Sequence, residues 1–203
     1  MRLWRVSAEA YKSAWVPRMK VTPTRLPEVL IVEPRVFPDQ RGHFYELWVE
    51  ERYREAGICG PFVQDNVSRS VHGTLRGLHF QEPKAQGKLV TVLTGKIFDV
   101  AVDIRRDSPR FGQWVGLELD ADHPRQLWIP PGFAHGFCVT SERADFLYKC
   151  TEYYSPATEG AIRWNDPDLA IDWPVPTPVL SEKDAVAPLL SEAQTLPSMD
   201  DNA

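Results

Sequence analysis

The sequence predicts an all-β domain of the sandwich or barrel type. From residue 29 onward, short apolar or alternating runs are interrupted at intervals of about eight to twelve residues by turn residues, which is the pattern of such folds. The chain has 203 residues, a length that one all-β domain can reach, and its 18 prolines and 12 glycines supply many turns. Hydrophobic residues make up 43% and charged residues 25%, so a largely disordered or collagen-like chain is excluded.

The individual elements follow from local pattern. The predicted strands cover residues 29–32, 44–49, 63–68, 74–81, 89–93, 96–104, 113–119, 126–129, 136–140, 145–152 and 161–164. Residues 50–56 are charged and end at Gly57, as a helix with a glycine after its C-cap does. A C-terminal helical segment is predicted over residues 181–194, which begin with the N-cap pattern Ser-Glu-Lys-Asp. Gly95 separates two strongly β-branched runs and predicts a tight hairpin.

In sequence pattern, the two ends of the chain differ from the domain between them. Residues 1–18 carry Arg2, Arg5, Lys12 and Arg18 among scattered apolar residues, and Met19 would itself make a plausible chain start. We interpret this segment as a leader from an over-long gene start, with an arm that packs on a partner subunit as the alternative. Residues 19–196 then form the single domain, and residues 197–203 form a frayed tail.

Charge and cysteine content narrow the possible partners and compartments. The 23 Lys and Arg against 28 Asp and Glu give a net charge of −5, so neither a nucleic-acid nor a membrane partner is expected. No run approaches the roughly 20 apolar residues of a membrane span, and residues 1–30 lack the apolar core of a signal peptide. Cys59, Cys138 and Cys150 suit neither a disulfide framework nor a zinc site and are interpreted as buried free thiols. We therefore expect a cytoplasmic protein.

A dense group of polar side chains occupies two predicted strands, residues 64–70 and 75–81. In an alternating strand His79 and Gln81 share a face, whereas Arg76 points away unless Gly77 forms a bulge that redirects it. We predict that bulge. His79 taken alone also suits a hydrogen-bonded core residue.

A second group, residues 128–137, contains the pattern Pro-x-Gly-x-x-His that ends at His135. This pattern resembles the second motif of the cupin superfamily, small β-barrels whose interior often holds a metal. The first cupin motif is met only by Gly73 and His79, because Gln81 replaces its second histidine. With too few ligands for a transition metal, we predict a metal-free, cofactor-free cupin-like β-barrel (jelly roll) with a few short helices, whose histidines are available for acid–base chemistry.

Matching segments then extend along the chain from about residue 19 to about residue 190. They are residues 41–46 (RGHFYE), 62–66 (FVQDN), 75–81 (LRGLHFQ), 86–90 (QGKLV), 98–103 (FDVAVD), 126–130 (QLWIP), 132–137 (GFAHGF), 146–149 (FLYK) and 153–156 (YYSP). In these segments the sequence resembles the bacterial dTDP-4-dehydrorhamnose 3,5-epimerases. The resemblance implies a metal-free homodimer that inverts C3 and C5 of dTDP-4-keto-6-deoxy-D-glucose. Both carbons flank the C4 ketone, so each inversion proceeds by deprotonation to an enolate and reprotonation from the opposite face.

The resemblance also implies the catalytic residues. His79 matches the base, and Asp184 the carboxylate that orients it and stabilises its charged form. Lys88 matches the lysine at the ketone oxygen, and Tyr148 the acid on the opposite face. Without the resemblance, Asp184 would be a helix N-terminal charge, Lys88 a solvated strand-end lysine and Tyr148 a packed core aromatic.

Substrate contacts are implied in the same way. Arg41 and Arg76 match arginines that bind the diphosphate, and Phe44 and Tyr154 match aromatic residues that stack with thymine. The remaining contacts are expected from Gln64, Asn66 and Glu46 to the nucleotide and from His135 to the sugar. Because the family completes each site with residues of the neighbouring subunit, Arg41, Phe44 and Glu46 are expected to serve the partner's site.

Other functions remain open from the sequence. A relative of the same fold could invert only C3 or only C5, and a dTDP-sugar 3,4-ketoisomerase is a further alternative that differs around the LRGLH segment. A cupin-like module that binds a sugar nucleotide without chemistry is the alternative from another class. His79, Asp184, Lys88 and Tyr148 are all present, which favours the double epimerase.

Overall fold

Strands dominate the part of the chain that the structure, a computed structural model, describes, which is residues 19–199. In chain order they are β1 (Lys20–Pro23), β2 (Leu30–Glu33), β3 (Phe37–Asp39), β4 (Gly42–Phe44), β5 (Gln64–Val71), β6 (Leu75–Gln81), β7 (Lys88–Thr94), β8 (Lys96–Asp103), β9 (Trp114–Asp120), β10 (Gln126–Ile129), β11 (Phe133–Val139), β12 (Arg143–Cys150) and β13 (Glu159–Ala161). Helix α1 (Glu50–Glu55), helix α2 (Glu182–Ala185) and a 3-10 turn (Leu190–Glu192) join them. The predictions for residues 1–18 and 200–203 lie outside the described residues.

Two antiparallel sheets face each other and form the jelly roll. One sheet has the strand order β1-β2-β10-β7-β12-β5, and the other has the order β13-β6-β11-β8-β9. Strands β3 and β4 form a separate hairpin. This architecture confirms the predicted all-β, cupin-like fold with short helices. Neither helix within residues 19–199 has the length and hydrophobicity of a membrane-spanning segment.

Each sheet buries apolar side chains on both of its faces. The core between the sheets takes residues from each, such as Val90 and Phe146 from one sheet and Phe137 from the other. The outer face of the five-stranded sheet is covered by the C-terminal segment, in which Trp173 and Leu190 are buried. The outer face of the other sheet is covered by α1 and its flanking loops. This cover explains why residues beyond the last strand are needed for the domain.

The ends of the elements depart from prediction where side chains bond to the backbone. Residues 45–49 were expected to continue a strand, but β4 ends at Phe44. The carbonyl of Leu47 instead accepts hydrogen bonds from Tyr53 Oη and Gln126 Nε2, at 2.9 and 3.0 Å. With that carbonyl satisfied by side chains, the segment does not join a ladder.

The predicted helix over residues 181–194 is also shorter than expected. Ser181 does cap it, because its Oγ accepts the N–H of Asp184 at 3.1 Å, but α2 ends at Ala185. Pro188 lacks an N–H and separates α2 from the 3-10 turn. Further along, the carbonyl of Pro197 accepts the N–H of Arg106, and the N–H of Met199 donates to Asp107.

The turn at Gly95 joins the two sheets rather than two paired strands, so the predicted hairpin is wrong. Strand β7 pairs with β10 and β12, whereas β8 pairs with β11 and β9. Gly95 has φ +79°, and a Cβ there would collide with the carbonyl oxygen of Arg143. The glycine is therefore required, but for a sharp crossover between sheets.

All three cysteines are free thiols. Cys138 and Cys150 are buried, as predicted, whereas Cys59 is exposed.

A buried ion-pair cluster joins the end of β8 to neighbouring loops. Asp103 accepts hydrogen bonds from Arg105 Nε at 2.9 Å, from Arg105 Nη2 at 2.6 Å and from Ser108 Oγ at 2.7 Å. Arg105 also bonds to Glu28 and lies over the ring of Phe133. Burial raises the pKa of Asp103, but the hydrogen bonds from Arg105 and Ser108 outweigh it, so the net pKa is below its ordinary value.

We predict that Asp103→Ala lowers the free energy of unfolding at neutral pH by about 3–5 kcal/mol, because it leaves the buried Arg105 without its main counter-charge. The pKa of Asp103 is lowered on folding, so its contribution is complete above about pH 4 and is lost as the pH falls further. The measurement is urea unfolding at several pH values. The exposed pair of Arg69 and Asp145 supplies the control, since Arg69→Ala should change stability much less. Equal losses for the two variants would contradict this account.

Candidate active site

A cavity of about 320 Å³ opens between the two sheets at one end of the barrel. Its lining residues come from strands of both sheets and from the loops after them: Gln64, Asn66, His79, Phe80, Gln81, Gln86, Lys88, Tyr148, Tyr154 and Glu159. Six of the predicted site residues, His79, Lys88, Tyr148, Gln64, Asn66 and Tyr154, are among them. The strands that were expected to carry chemistry therefore meet at one cavity.

The predicted bulge is present in β6 and places Arg76 on the face that carries His79. Along the β6–β11 ladder His79 lies opposite His135 but Arg76 lies opposite Phe137, so β6 has one extra residue in this stretch. Gly77 has φ +136°, and a Cβ there would lie 2.5 Å from the Cα of Gly136. Arg76 then reaches the six-stranded sheet, where its Nε donates to Ser70 Oγ at 3.2 Å.

His79 and Asp184 form a hydrogen-bonded pair across 105 residues of sequence. The Nε2 of His79 donates to Asp184 Oδ1 at 2.6 Å, since an ionised carboxylate can only accept. Burial raises the pKa of Asp184, but the hydrogen bond and charge of His79 outweigh it, so the net pKa is below the ordinary value. Helix α2 positions Asp184 through its Ser181 cap. The carboxylate thus supports a residue of the cavity from a helix N-terminus.

Lys88 is not a solvated lysine, since it is only 8% exposed. Burial lowers the pKa of its ammonium group, and the negative charges of Asp99 and Glu159 act in the opposite direction. Within residues 19–199, Lys88 makes no ion pair. A cation in this position can stabilise an anionic oxygen in the cavity more strongly than it could in water.

Tyr148 lines the cavity from the six-stranded sheet, while His79 lies on the other sheet. It also packs on Phe146, with ring centroids 5.7 Å apart. Tyr148 is thus a packed aromatic residue, as the sequence without the resemblance indicated, and a cavity residue as well. Burial raises the pKa of the phenol, and the positive charge of Arg76 opposes this rise. The hydroxyl therefore keeps its proton at neutral pH and can donate it.

His135 lies next to His79 on the neighbouring strand and is bonded to Asp99. Its Nε2 donates to both carboxylate oxygens of Asp99, at 3.1 and 3.0 Å. The two histidines that survive from the cupin motifs thus each have a carboxylate partner. Within residues 19–199, no three His, Cys, Asp or Glu side chains converge in a way that could hold a metal.

Six predicted site residues do not line the cavity of their own chain. Asp184 and His135 adjoin the cavity residue His79, and Arg76 lies on the same strand, whereas Arg41, Phe44 and Glu46 have other neighbours. Arg41 is exposed and pairs with Asp39, and Phe44 is 65% exposed on the β3–β4 hairpin. Glu46 is bound by Arg52 at 2.6 Å. None of the three lines the cavity.

The aromatic residue at the cavity mouth is held in place by polar side chains. Tyr154 Oη donates to Glu159 at 2.8 Å, and the N–H of Tyr154 donates to Gln64 Oε1 at 2.9 Å. Gln64 Nε2 in turn donates to Asn66 at 2.9 Å. The amide groups of β5 thus fix both each other and the Tyr154 loop.

Sequence reasoning missed Glu159 and gave Gln81 and Gln86 no role. Glu159 begins β13, next to β6, and forms an ion pair with Lys183. The predicted strand started two residues later, so no local signal marked Glu159. Gln81 Nε2 donates to the carbonyls of Lys84 and Tyr153, and its Oε1 accepts the N–H of Ser155. The residue that replaces a metal-ligand histidine thus organises the loop that carries Tyr154.

Comparison with known proteins agrees with this geometry. The family model described as dTDP-4-dehydrorhamnose 3,5-epimerase matches residues 23–192. A relative of that name from Salmonella typhimurium is 57% identical, over 86% of this chain and 97% of its own length. One from Pseudomonas aeruginosa is 54% identical, over 88% of this chain and its full length.

A solved structure agrees as well. The Legionella pneumophila dTDP-6-deoxy-D-glucose-3,5-epimerase in complex with dTDP-4-keto-L-rhamnose has a TM-score of 0.87 and 54% identity, over 89% of this chain and 98% of its own. The family model spans most of the chain, including both walls of the cavity. The chain therefore belongs to the dTDP-4-dehydrorhamnose 3,5-epimerase family.

Proposed function

We propose that this isomerase inverts C3 and C5 of dTDP-4-dehydro-6-deoxy-D-glucose and so forms dTDP-4-dehydro-L-rhamnose. The observation that carries the proposal is the placement of His79, bonded to Asp184 of α2, on one sheet and of Lys88 and Tyr148 on the facing sheet. A sugar held between them has a base on one side and a proton donor on the other.

The base acts through its free ring nitrogen. Because Nε2 of His79 donates to Asp184, Nδ1 carries the lone pair that takes a proton from C3 or C5. The electron pair of the broken C–H bond passes to the C4 oxygen and forms an enolate. Asp184 stabilises the imidazolium that results, as a carboxylate does in a Ser-His-Asp triad.

The facing wall completes each inversion. The ammonium group of Lys88 stabilises the negative oxygen of the enolate. Tyr148 then donates its phenolic proton to the carbon from the opposite face. Between the two inversions the imidazolium of His79 loses its proton to solvent and the phenolate of Tyr148 regains one from solvent. One proton leaves and one arrives at each carbon, so the reaction involves no change of oxidation state and requires no redox cofactor.

Polar groups around the mouth suit the dTDP portion. Arg76 is proposed to bind the diphosphate, Gln64 and Asn66 to contact the nucleotide, and Tyr154 to stack on thymine. His135 is proposed to contact the sugar. These roles are supported by the position of the residues in or beside one cavity.

We propose a homodimer in which Arg41, Phe44 and Glu46 complete the partner's site. Phe44 is a largely exposed aromatic residue on a hairpin that pairs with neither large sheet. Strand β5, which carries Gln64 and Asn66, is an edge strand, so a second copy has access to this side of the cavity. We also place the enzyme in the cytoplasm, which suits its three free thiols.

The direct test is to supply the keto sugar together with a reductase and NADPH, with and without a chelator. We predict equal yields of dTDP-L-rhamnose in both cases, because residues 19–199 offer too few ligands in the site for a metal-dependent step. A product inverted at one carbon would indicate a mono-epimerase. Binding of dTDP without any turnover would indicate a binding module, and a loss of activity restored by added metal would contradict the proposed mechanism.

We predict that His79→Asn lowers kcat by at least about 10²-fold and slows solvent exchange at both C3 and C5, since one base serves both carbons. Affinity for dTDP should be retained, because the nucleotide contacts lie on other residues. NMR in deuterated water and calorimetry with dTDP measure the two effects. Undiminished exchange would remove His79 as the base.

For Tyr148→Phe we predict that deuterium still enters from solvent while formation of the inverted product falls by about 10²-fold or more. The reason is that His79 still removes the proton but the opposite face has lost its donor. The exposed Tyr153 supplies a matched control, because Tyr153→Phe removes a hydroxyl outside the cavity. Product formation that is equal in the two variants would contradict the role of Tyr148.

A further inference from the structure

A second histidine–carboxylate pair lies beside the cavity, between β8 and β11. Asp99 is fully buried and accepts the Nε2–H of His135 with both of its oxygens. The His135 ring lies nearly parallel to that of Phe146, with centroids 6.1 Å apart, so its plane is held as well. Because His135 is the cross-strand neighbour of His79, its ring faces the interior on the same side of the sheet.

The bond to Asp99 determines which nitrogen of His135 carries hydrogen. A carboxylate only accepts, so Nε2 holds the hydrogen, and in the neutral ring Nδ1 holds a lone pair. Within residues 19–199, Nδ1 has no hydrogen-bond partner. The enclosed side-chain atoms without a partner lie elsewhere, at Glu28, Ser68, Arg110, Arg125 and Thr140. Nδ1 is therefore available as a hydrogen-bond acceptor on a ring that lies next to the cavity residue His79.

We propose that Asp99 is a positioning residue for the epimerisation: it holds His135 as the neutral Nε2–H tautomer, so that Nδ1 accepts a hydrogen bond from a hydroxyl of the bound sugar. The role rests on the proposed function. The two histidine–carboxylate pairs then differ in use. His79 changes its protonation during each turnover, whereas His135 keeps one state and fixes the hydroxyl next to the reacting carbon.

The test replaces Asp99 by a side chain of the same shape. In Asp99→Asn the amide NH2 donates to Nε2 of His135, which moves the ring hydrogen to Nδ1 and turns the acceptor into a donor. By analogy with the same change in a Ser-His-Asp triad, we expect kcat to fall by about 10²–10⁴-fold. Affinity for dTDP should be retained, because Gln64, Asn66 and Tyr154 are untouched.

The chain supplies a matched control. Asp120 is also buried and also accepts a histidine hydrogen bond, from Nδ1 of His123 at 3.0 Å, but it lies at the end of β9 outside the cavity. Asp120→Asn should therefore leave kcat unchanged. An equal loss of kcat in both variants would show that a buried carboxylate matters only for folding and would overturn the proposal.

Nitrogen NMR of the His135 ring gives a readout that needs no turnover, with the signals assigned by their loss in His135→Gln. We expect the Nε2–H tautomer in the wild-type protein and the Nδ1–H tautomer in Asp99→Asn. An imidazolium or an Nδ1–H tautomer in the wild type would overturn the proposal, even if Asp99→Asn did not fold. If the protein proved not to be an epimerase, this tautomer would still be measurable, so the two failures are distinguishable.

Discussion

The close approach of β6 and β11 at Gly77 and Gly136 is the constraint on which the rest of the site depends. The backbones come so near that a Cβ on Gly77 would lie 2.5 Å from the Cα of Gly136. This contact accommodates the extra residue that puts Arg76 and His79 on one face of β6. A regular strand would direct Arg76 to the outer face of the sheet, away from the cavity.

Burial gives the remaining groups their chemical character. The sheets and the C-terminal cover exclude water from Lys88, Asp99 and Asp184, so each charge acts strongly on its neighbours. Asp184 is held by His79 and by α2, and Asp99 is held by His135. Lys88 alone among these groups makes no ion pair within residues 19–199, which leaves it for the oxygen that becomes negative during the reaction. The fold that buries these charged groups therefore also determines that Lys88 is the one available to the substrate.

Much of the site could be predicted from the sequence where local rules decide the outcome. The bulge at Gly77 was predictable, because regular alternation would put Arg76 and His79 on opposite faces of the strand, whereas the site requires both on one face. The pairing of His79 with Asp184 spans too many residues for any local rule, and only the family resemblance indicated it. Gly95 shows the limit most clearly, since a required glycine was recognised but the strands that it joins pair with other partners. Likewise, Glu159 enters the cavity through the pairing of β13 with β6, which leaves no pattern in the sequence.

The central claim is that one cavity with a base on one wall and a proton donor on the other serves both carbons beside the ketone. The most direct measurement is to incubate the wild-type protein with the keto sugar in deuterated water and to follow C3 and C5 by NMR. The account predicts that deuterium enters at both carbons and that both configurations invert. Deuterium at only one carbon, or at neither, would contradict it.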